Sequence, residues 1–481
     1  MRWTAKALMA APFLLIPSLS LAQSASTCFT AAPDPAAKIA ACTKSLADAL
    51  PPATRALALL ARADAYITTG DARHALADYN EALALNAKDA PALLARGKLL
   101  EAAGEFSKAE ADYGAALTQD RTLAEAYARR GTLRIARGAN DEALADLSQA
   151  RRLNPDDAQT QRLFADARLK SGQTGDAAAG YTAPLTANPN DAPALRGRAT
   201  AAARARDYAS AITDFSAALA LNAQDIAALE GRGMAALQSG AFTNAVADFS
   251  ALTELRPDDP SPVFFRGNAK LQSGDAPGAA DDFTFFLKAH PADGEALMGR
   301  ALARQSTGDH PGAEADLTAI LAAVPDAAQP LAQRGYVRFM QGKFMPAAAD
   351  LARAAALPNA PPEVALWRFI AETRAGQNGA PALSAAAQTI PKAQWPSPVF
   401  AYFLGEASGD TVLAAAGEHQ HLPGRLCEAY YYLGEAALIL NDTTEAAKLL
   451  RAAIATNMSR YTEYAAAQAE LARLEGQTKP R

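Results

Sequence analysis

The chain has 481 residues, of which 50% are hydrophobic, 7% aromatic and 20% charged. The apolar fraction is carried largely by small alanines, which favour helix and give little bulk to a large core. Thin, repeated helical layers are therefore expected in place of about three globular domains. A count of 46 basic against 51 acidic residues gives a net charge of −5. That balance lacks the basic footprint of a nucleic-acid-binding protein, and three cysteines with five histidines leave little for a zinc scaffold.

At the start of the chain, Arg2 and Lys6 precede an apolar run from Ala7 to Leu21 that is broken by Pro12 and Pro17. Ser20-Leu21-Ala22 then puts small residues at the −3 and −1 positions of a cleavage site. This three-part pattern predicts a cleavable secretory leader over 1–22, too short for a membrane span. Cys28 follows Thr27, six residues past that point, so lipid attachment is not expected. With no eukaryotic cue, the predicted destination is the bacterial periplasm. In an oxidising compartment Cys28 and Cys42 can pair, closing a loop of about 15 residues worth roughly 3 kcal/mol. The bond would staple a helix over about 35–50, within an N-terminal segment 23–55, onto the first layer.

From residue 56 to 361 the sequence repeats every 34 residues, nine times without an insertion, in windows that start at Ala56, Ala90, Ala124, Ala158, Ala192, Ile226, Pro260, Gly294 and Ala328. Position 8 is always Gly or Ala and position 20 always Ala, while position 24 is bulky, from Tyr79 to Leu351. Small residues let two antiparallel helices approach closely, and the bulky one fills the gap to the next repeat. Position 15 is Gly from Gly70 to Gly342 except at Arg206, which suits a left-handed residue that ends the first helix. Asp89, Asp157, Asp191, Asp225, Asp259 and Asp293 stand where N-caps of the next helix are expected.

Charge follows the same period. Position 7 is Arg62, Arg96, Arg130, Arg198, Arg232, Arg266, Arg300 and Arg334, and position 23 of the same repeats is Asp78, Asp112, Asp146, Asp214, Asp248, Asp282, Asp316 and Asp350. The fourth repeat loses both together, with Phe164 and Gly180. The two positions are equidistant from the turn at 15, so a hairpin brings them level and an ion pair is predicted inside each repeat.

This pattern resembles the tetratricopeptide repeat family over about 56–361, and the resemblance implies an all-α superhelical solenoid of antiparallel helix pairs. It also implies that positions 2, 5, 9, 12 and 13 face a concave surface. In repeats six to nine those positions supply an apolar peptide-binding track: Met234, Leu237, Phe264, Asn268, Leu271, Met298, Leu302, Tyr336, Phe339 and Met340. Methionines suit adaptable recognition. In repeats four and five the same surface carries Arg162, Lys170, Arg196 and Arg204, a basic stretch on an acidic protein.

Beyond 361 the register decays. Residues 362–426 read as a degenerate repeat and a non-repeat helical insert, with a short helix near Asp410 to Ala416. A final repeat begins at Cys427, itself expected to be a small core residue, with Asn441 at its turn. Residues 461–475 read as a closing helix. Trp395, Tyr402-Phe403-Leu404-Gly405, Glu428 with Tyr431-Tyr432-Leu433-Gly434, and Tyr464 with Ala469-Glu470-Leu471 resemble the C-terminal block of the periplasmic lipoprotein family of NlpI. That resemblance implies an adaptor that brings substrates such as cell-wall hydrolases to a protease, and a homodimer.

No serine-nucleophile turn, zinc helix or phosphate loop is found. His419 and His421 beside Glu418 are the nearest approach to a metal cluster, and two ligands rarely hold a metal. The sequence thus predicts a non-enzymatic protein- or peptide-binding adaptor without cofactor, metal or stable membrane insertion. A structural subunit of an envelope assembly is the rival reading.

Overall fold

The structure is a computed structural model that describes residues 28–29, 34–358, 360–392, 394–417 and 422–478. The predicted leader and the Glu418, His419 and His421 cluster lie outside these residues. The fold is all-α, with no strand among the described residues. Two compact units divide at Leu221 and Asn222. That boundary falls between repeats five and six, inside the regular array, and not where the register decays at 361.

In the N-terminal unit Cys28 and Cys42 form the predicted disulfide, with 4.7 Å between their Cα atoms. Both are buried against Ala58. The stapled helix runs Pro35–Leu46, and the Asp34 carboxylate accepts the amides of Ala36 and Ala37. It stops short of residue 50. The next helix, Pro52–Thr68, starts before Ala56 because proline is well suited to a first helical turn. Asp89, Asp157 and Asp191 each cap the following helix by accepting an amide three residues on. The close approach at position 8 is tight: a Cβ on Gly97 would lie 2.6 Å from the Tyr113 ring, and one on Gly131 2.8 Å from Leu147 Cγ.

The turn at position 15 is left-handed whatever residue occupies it, for Arg206 has φ 63° where Gly172 has 79°. An L side chain there carries a steric cost that glycine escapes. Arg206→Gly is therefore expected to stabilise the N-terminal unit by about 1 kcal/mol, read as a higher denaturant midpoint with an unchanged slope.

The C-terminal unit continues the pairs from Ile226–Ser239 to Phe344–Ala355. Asp225 and Asp293 are N-caps. Asp259 is not: Pro260 takes the cap position of helix Ser261–Ser273, and the Asp259 carboxylate accepts from Ser261 N at 2.9 Å. The proline shifts the helix start by one residue. Helices Glu363–Arg374 and Ala380–Ala387 form the degenerate unit, followed by Ser397–Phe403 and Gly409–Gly417. The last pair, Leu422–Ile439 and Thr443–Ala455, begins before Cys427. Asn441 has φ 60° at its turn. Cys427 is buried, and burial pushes its thiol up to about 11. The closing helix is Thr462–Thr478.

Aromatic side chains from repeat nine onward gather in one core. Phe339, Trp367, Phe400, Tyr431 and Tyr432 are each 1% exposed or less, in one core with Leu351, Leu450 and Ala467.

Candidate functional site

All eight predicted ion pairs form. In the first repeat Arg62 Nε and Nη2 donate to the two carboxylate oxygens of Asp78 at 2.7 and 2.8 Å. In the ninth, Arg334 does the same to Asp350 at 2.8 and 2.8 Å. Such two-pronged pairs are the strong kind, and the hydrogen bond to Asp78 holds the Arg62 guanidinium above its usual range. A second cation one helical turn on, at position 11, reaches the same carboxylate: Arg134 to Asp146 at 2.8 Å, Lys270 to Asp282 at 2.9 Å, Arg304 to Asp316 at 2.8 Å and Arg338 to Asp350 at 2.7 Å. These charges hold the hairpins in register.

The fourth repeat lacks the pair. Phe164 lies beneath Arg151 and Arg168, at 4.5 and 4.4 Å from its ring centre, and Tyr181 donates to Asp166 at 2.6 Å. Its second helix is split into Thr174–Gly180 and Thr182–Ala187, since Pro184 has no amide to give the carbonyl of Gly180. The basic stretch is largely engaged within this unit. Arg162 pairs with Asp166 at 3.1 Å, Arg204 donates to the Leu169 carbonyl at 2.7 Å, Arg196 is half-buried, and Lys170 is exposed.

In the C-terminal unit the predicted apolar track divides. Met234 is exposed, Leu237 and Asn268 are half-buried. Phe264 packs in an aromatic cluster, 5.4, 5.9 and 5.0 Å from Phe265, Phe283 and Phe286, and Met298 packs against the same buried core. Leu271 and Leu302 line a channel of about 510 Å³ whose other wall is Tyr461, Tyr464 and Gln468 of the C-terminal segment. Tyr336, Phe339 and Met340 do not form an open track: they are 7%, 0% and 4% exposed. The closing helix covers repeat nine, where Arg473 donates to the Met340 carbonyl at 2.9 Å. Arg460 likewise donates to the Gln272 carbonyl of repeat seven. A periodic reading of the repeats could not foresee a segment more than a hundred residues away folding back across them.

A second cavity, of about 650 Å³, opens between the first helix of repeat nine, Ala328–Met340, and residues 460–463. Three carboxylates line it, Glu363, Glu428 and Glu463, with Tyr336, Trp367 and Tyr461. Trp395 Nε1 donates to Glu428 at 2.6 Å. Trp367 Nε1 and the Tyr432 hydroxyl each donate to Glu463 at 3.1 Å. Burial, reinforced by Glu463, pushes the Glu428 carboxyl up to about 7, and burial raises Glu463 as well.

This has a consequence for stability. The folded chain holds the Glu428 proton more tightly than the unfolded chain, whose ordinary value is 4.5. The stabilisation is full below about 4.5 and is lost as pH rises to about 7, in total about 2–3 kcal/mol. Thermal unfolding across that window should show the fall, and Glu428→Gln should make it shallower, the remainder coming from the raised Glu463 and Glu435 carboxyls.

Small residues at the hairpin crossing, a left-handed turn and a registered helix pair repeated in tandem define a helical-repeat interaction scaffold. The family model for the tetratricopeptide repeat matches residues 60–125, 162–226, 196–260, 266–328 and 428–460, just over half of the chain. The chain belongs to the tetratricopeptide repeat family, whose arrays bind protein or peptide partners. Similar solved structures include a tetratricopeptide repeat protein from Parabacteroides merdae, at 19% identity and TM-score 0.37 over 52% of this chain and 98% of that one. The C-terminal part of a repeat protein from Cytophaga hutchinsonii matches at 19% and 0.38 over 51% and 98%. YrrB, a tetratricopeptide protein with an unusual peptide-binding site, matches at 20% and 0.37 over 40% and 97%. No helix among the described residues is long and apolar enough to cross a membrane.

Proposed function

We propose that this protein is an exported, non-lipidated periplasmic adaptor that holds a protein or peptide segment against its C-terminal unit. The observation that carries the reading is the channel between Leu271 and Leu302 on one side and Tyr461, Tyr464 and Gln468 on the other. It is a partly apolar cleft with amide and hydroxyl groups at its edge, the composition that suits an extended peptide. The complete leader pattern, Arg2 to Ala22, and the Cys28–Cys42 disulfide support the compartment. The likeness of the Trp395 and Tyr431-Tyr432 segments to the NlpI family supports partners among envelope proteases and cell-wall hydrolases, and a homodimer.

The test is a crosslinked pull-down from envelope extract with the parent protein and a Leu302→Glu variant. A protease or hydrolase captured by the parent and lost from a folded variant supports the channel. Equal capture by both moves the site elsewhere. Recovery of one stable multi-subunit envelope complex replaces the adaptor with a structural subunit. N-terminal sequencing of the exported protein should begin at Gln23.

A further inference from the structure

We propose that the cavity between repeat nine and residues 460–463 binds an alkylammonium or guanidinium cation, as the side chain of a lysine or arginine or as a free amine. Its carboxylates come from three separate helices: Glu363 from Glu363–Arg374, Glu428 from Leu422–Ile439 and Glu463 from Thr462–Thr478. The cationic lining residue is Arg460, and its guanidinium is turned outward, donating to the Gln272 carbonyl and lying 6.0 Å from the Phe242 ring centre. Arg425 faces Glu428 from beyond the lining, 5.8 Å over the Trp395 ring.

Two of these carboxyl groups, Glu428 and Glu463, are held by neutral donors. Glu463 is 7% exposed, and it receives the Trp367 and Tyr432 bonds described above but no ion pair among the described residues. Elsewhere in the same unit the chain supplies cations: the buried Glu435 and Glu470 are met by Arg374 at 2.8 and 3.3 Å, and Glu470 also by Arg473. A buried carboxylate without a cation is costly, so the cavity departs from the pattern of its own neighbourhood.

A second, independent observation points the same way. Gln333, on the cavity wall, has a buried side-chain oxygen with no hydrogen-bond partner. Buried acceptors are ordinarily satisfied, and this one adds a neutral acceptor to a carboxylate-rich wall. Guanidinium and ammonium groups are pure donors, and the exposed ring of Tyr461 on the cavity wall offers a face that attracts cations. The peptide form of the ligand rests on the partner-binding reading above; the cation site does not.

Tryptophan emission is the natural reporter, because Trp367 lines the cavity and Trp395 is bonded to Glu428. The full chain would be titrated with N-acetyl-arginine amide, N-acetyl-lysine amide and cadaverine, with N-acetyl-citrulline amide as the neutral isostere. The charged probes are expected to give a saturable change, with citrulline at least about tenfold weaker. Glu363→Gln with Glu428→Gln should weaken the charged probes about tenfold or more, while Glu445→Gln, on helix Thr443–Ala455 and outside the cavity lining, should not. If the double variant fails to fold, Glu363→Gln alone must weaken binding, since this residue is half-buried.

Equal binding of arginine and citrulline amides, no saturable response, or binding indifferent to the variants would overturn the proposal. A lysine- or arginine-bearing peptide that binds well above the free amides assigns the cation to a partner chain, whereas cadaverine binding as tightly assigns it to a free amine. Partner capture without a cation response rejects this site alone. A cation response without partner capture rejects only the adaptor.

Discussion

Replacing Arg374 with leucine is expected to destabilise the C-terminal unit by about 3–5 kcal/mol, the usual cost of leaving a buried charge without its partner. Arg374 donates to Glu435 at 2.8 Å and to Glu470 at 3.3 Å, and those carboxylates are 0% and 1% exposed. Its guanidinium also lies 4.5 Å from the Phe344 ring centre, so packing is lost along with charge. Burial and the neighbouring Glu470 already raise the Glu435 carboxyl despite the arginine. Removing the arginine leaves protonation as the remaining relief, so the variant should recover part of its loss at low pH. Adding Glu435→Gln should restore most of it at neutral pH. Urea unfolding followed by tryptophan emission reads both. A loss under about 1 kcal/mol would show that Arg374 does not hold this core together.

Trp367→Ala is expected to cost about as much, roughly 3–5 kcal/mol. The indole is 1% exposed, with ring centres 4.9 Å from Tyr336, 5.3 Å from Phe339 and 5.0 Å from Tyr431. Its Nε1 also donates to Glu463, in the first turn of the closing helix. One side chain therefore joins repeat nine, the degenerate repeat, the last repeat and the closing helix. Amide exchange should show residues 462–478 losing protection first in the alanine variant. Trp367→Phe keeps most of the packing and forfeits the hydrogen bond, so it should cost less than half as much.

Both effects sit where the sequence speaks least. The repeats were legible because each side chain answers to neighbours at fixed offsets: Arg62 to Asp78 across one turn, Gly97 to Tyr113 across one crossing. Even the exception obeyed, since Arg206 takes the left-handed conformation its position demands. The disulfide was expected from the spacing of Cys28 and Cys42 behind a leader-like segment. Burial of Tyr336, Phe339 and Met340 did not follow, because their periodic positions would leave them open if the array simply ended. What closes over them is set by contacts such as Arg473 with Met340 and Trp367 with Glu463, which span separations of 133 and 96 residues and have no repeat to announce them. The carboxylates of the second cavity, Glu363, Glu428 and Glu463, are likewise scattered in sequence and converge only through that closure. Asp259 shows the same limit at short range, where Pro260 moved a helix start that the 34-residue period placed one residue earlier.

Residues 459–478 lie across the first-helix face of repeats seven to nine, and one crosslink tests this closure directly. Cysteines would be placed at Gln272 and Arg460, whose carbonyl and guanidinium meet, and bridged with a short bis-maleimide. The chain's own cysteines should not compete, since Cys28 and Cys42 are joined and Cys427 is buried. Near-complete intramolecular bridging in the native protein, abolished in urea, is the predicted result. Two singly modified cysteines without a bridge would contradict the closure, and with it the channel and the cation site built on it.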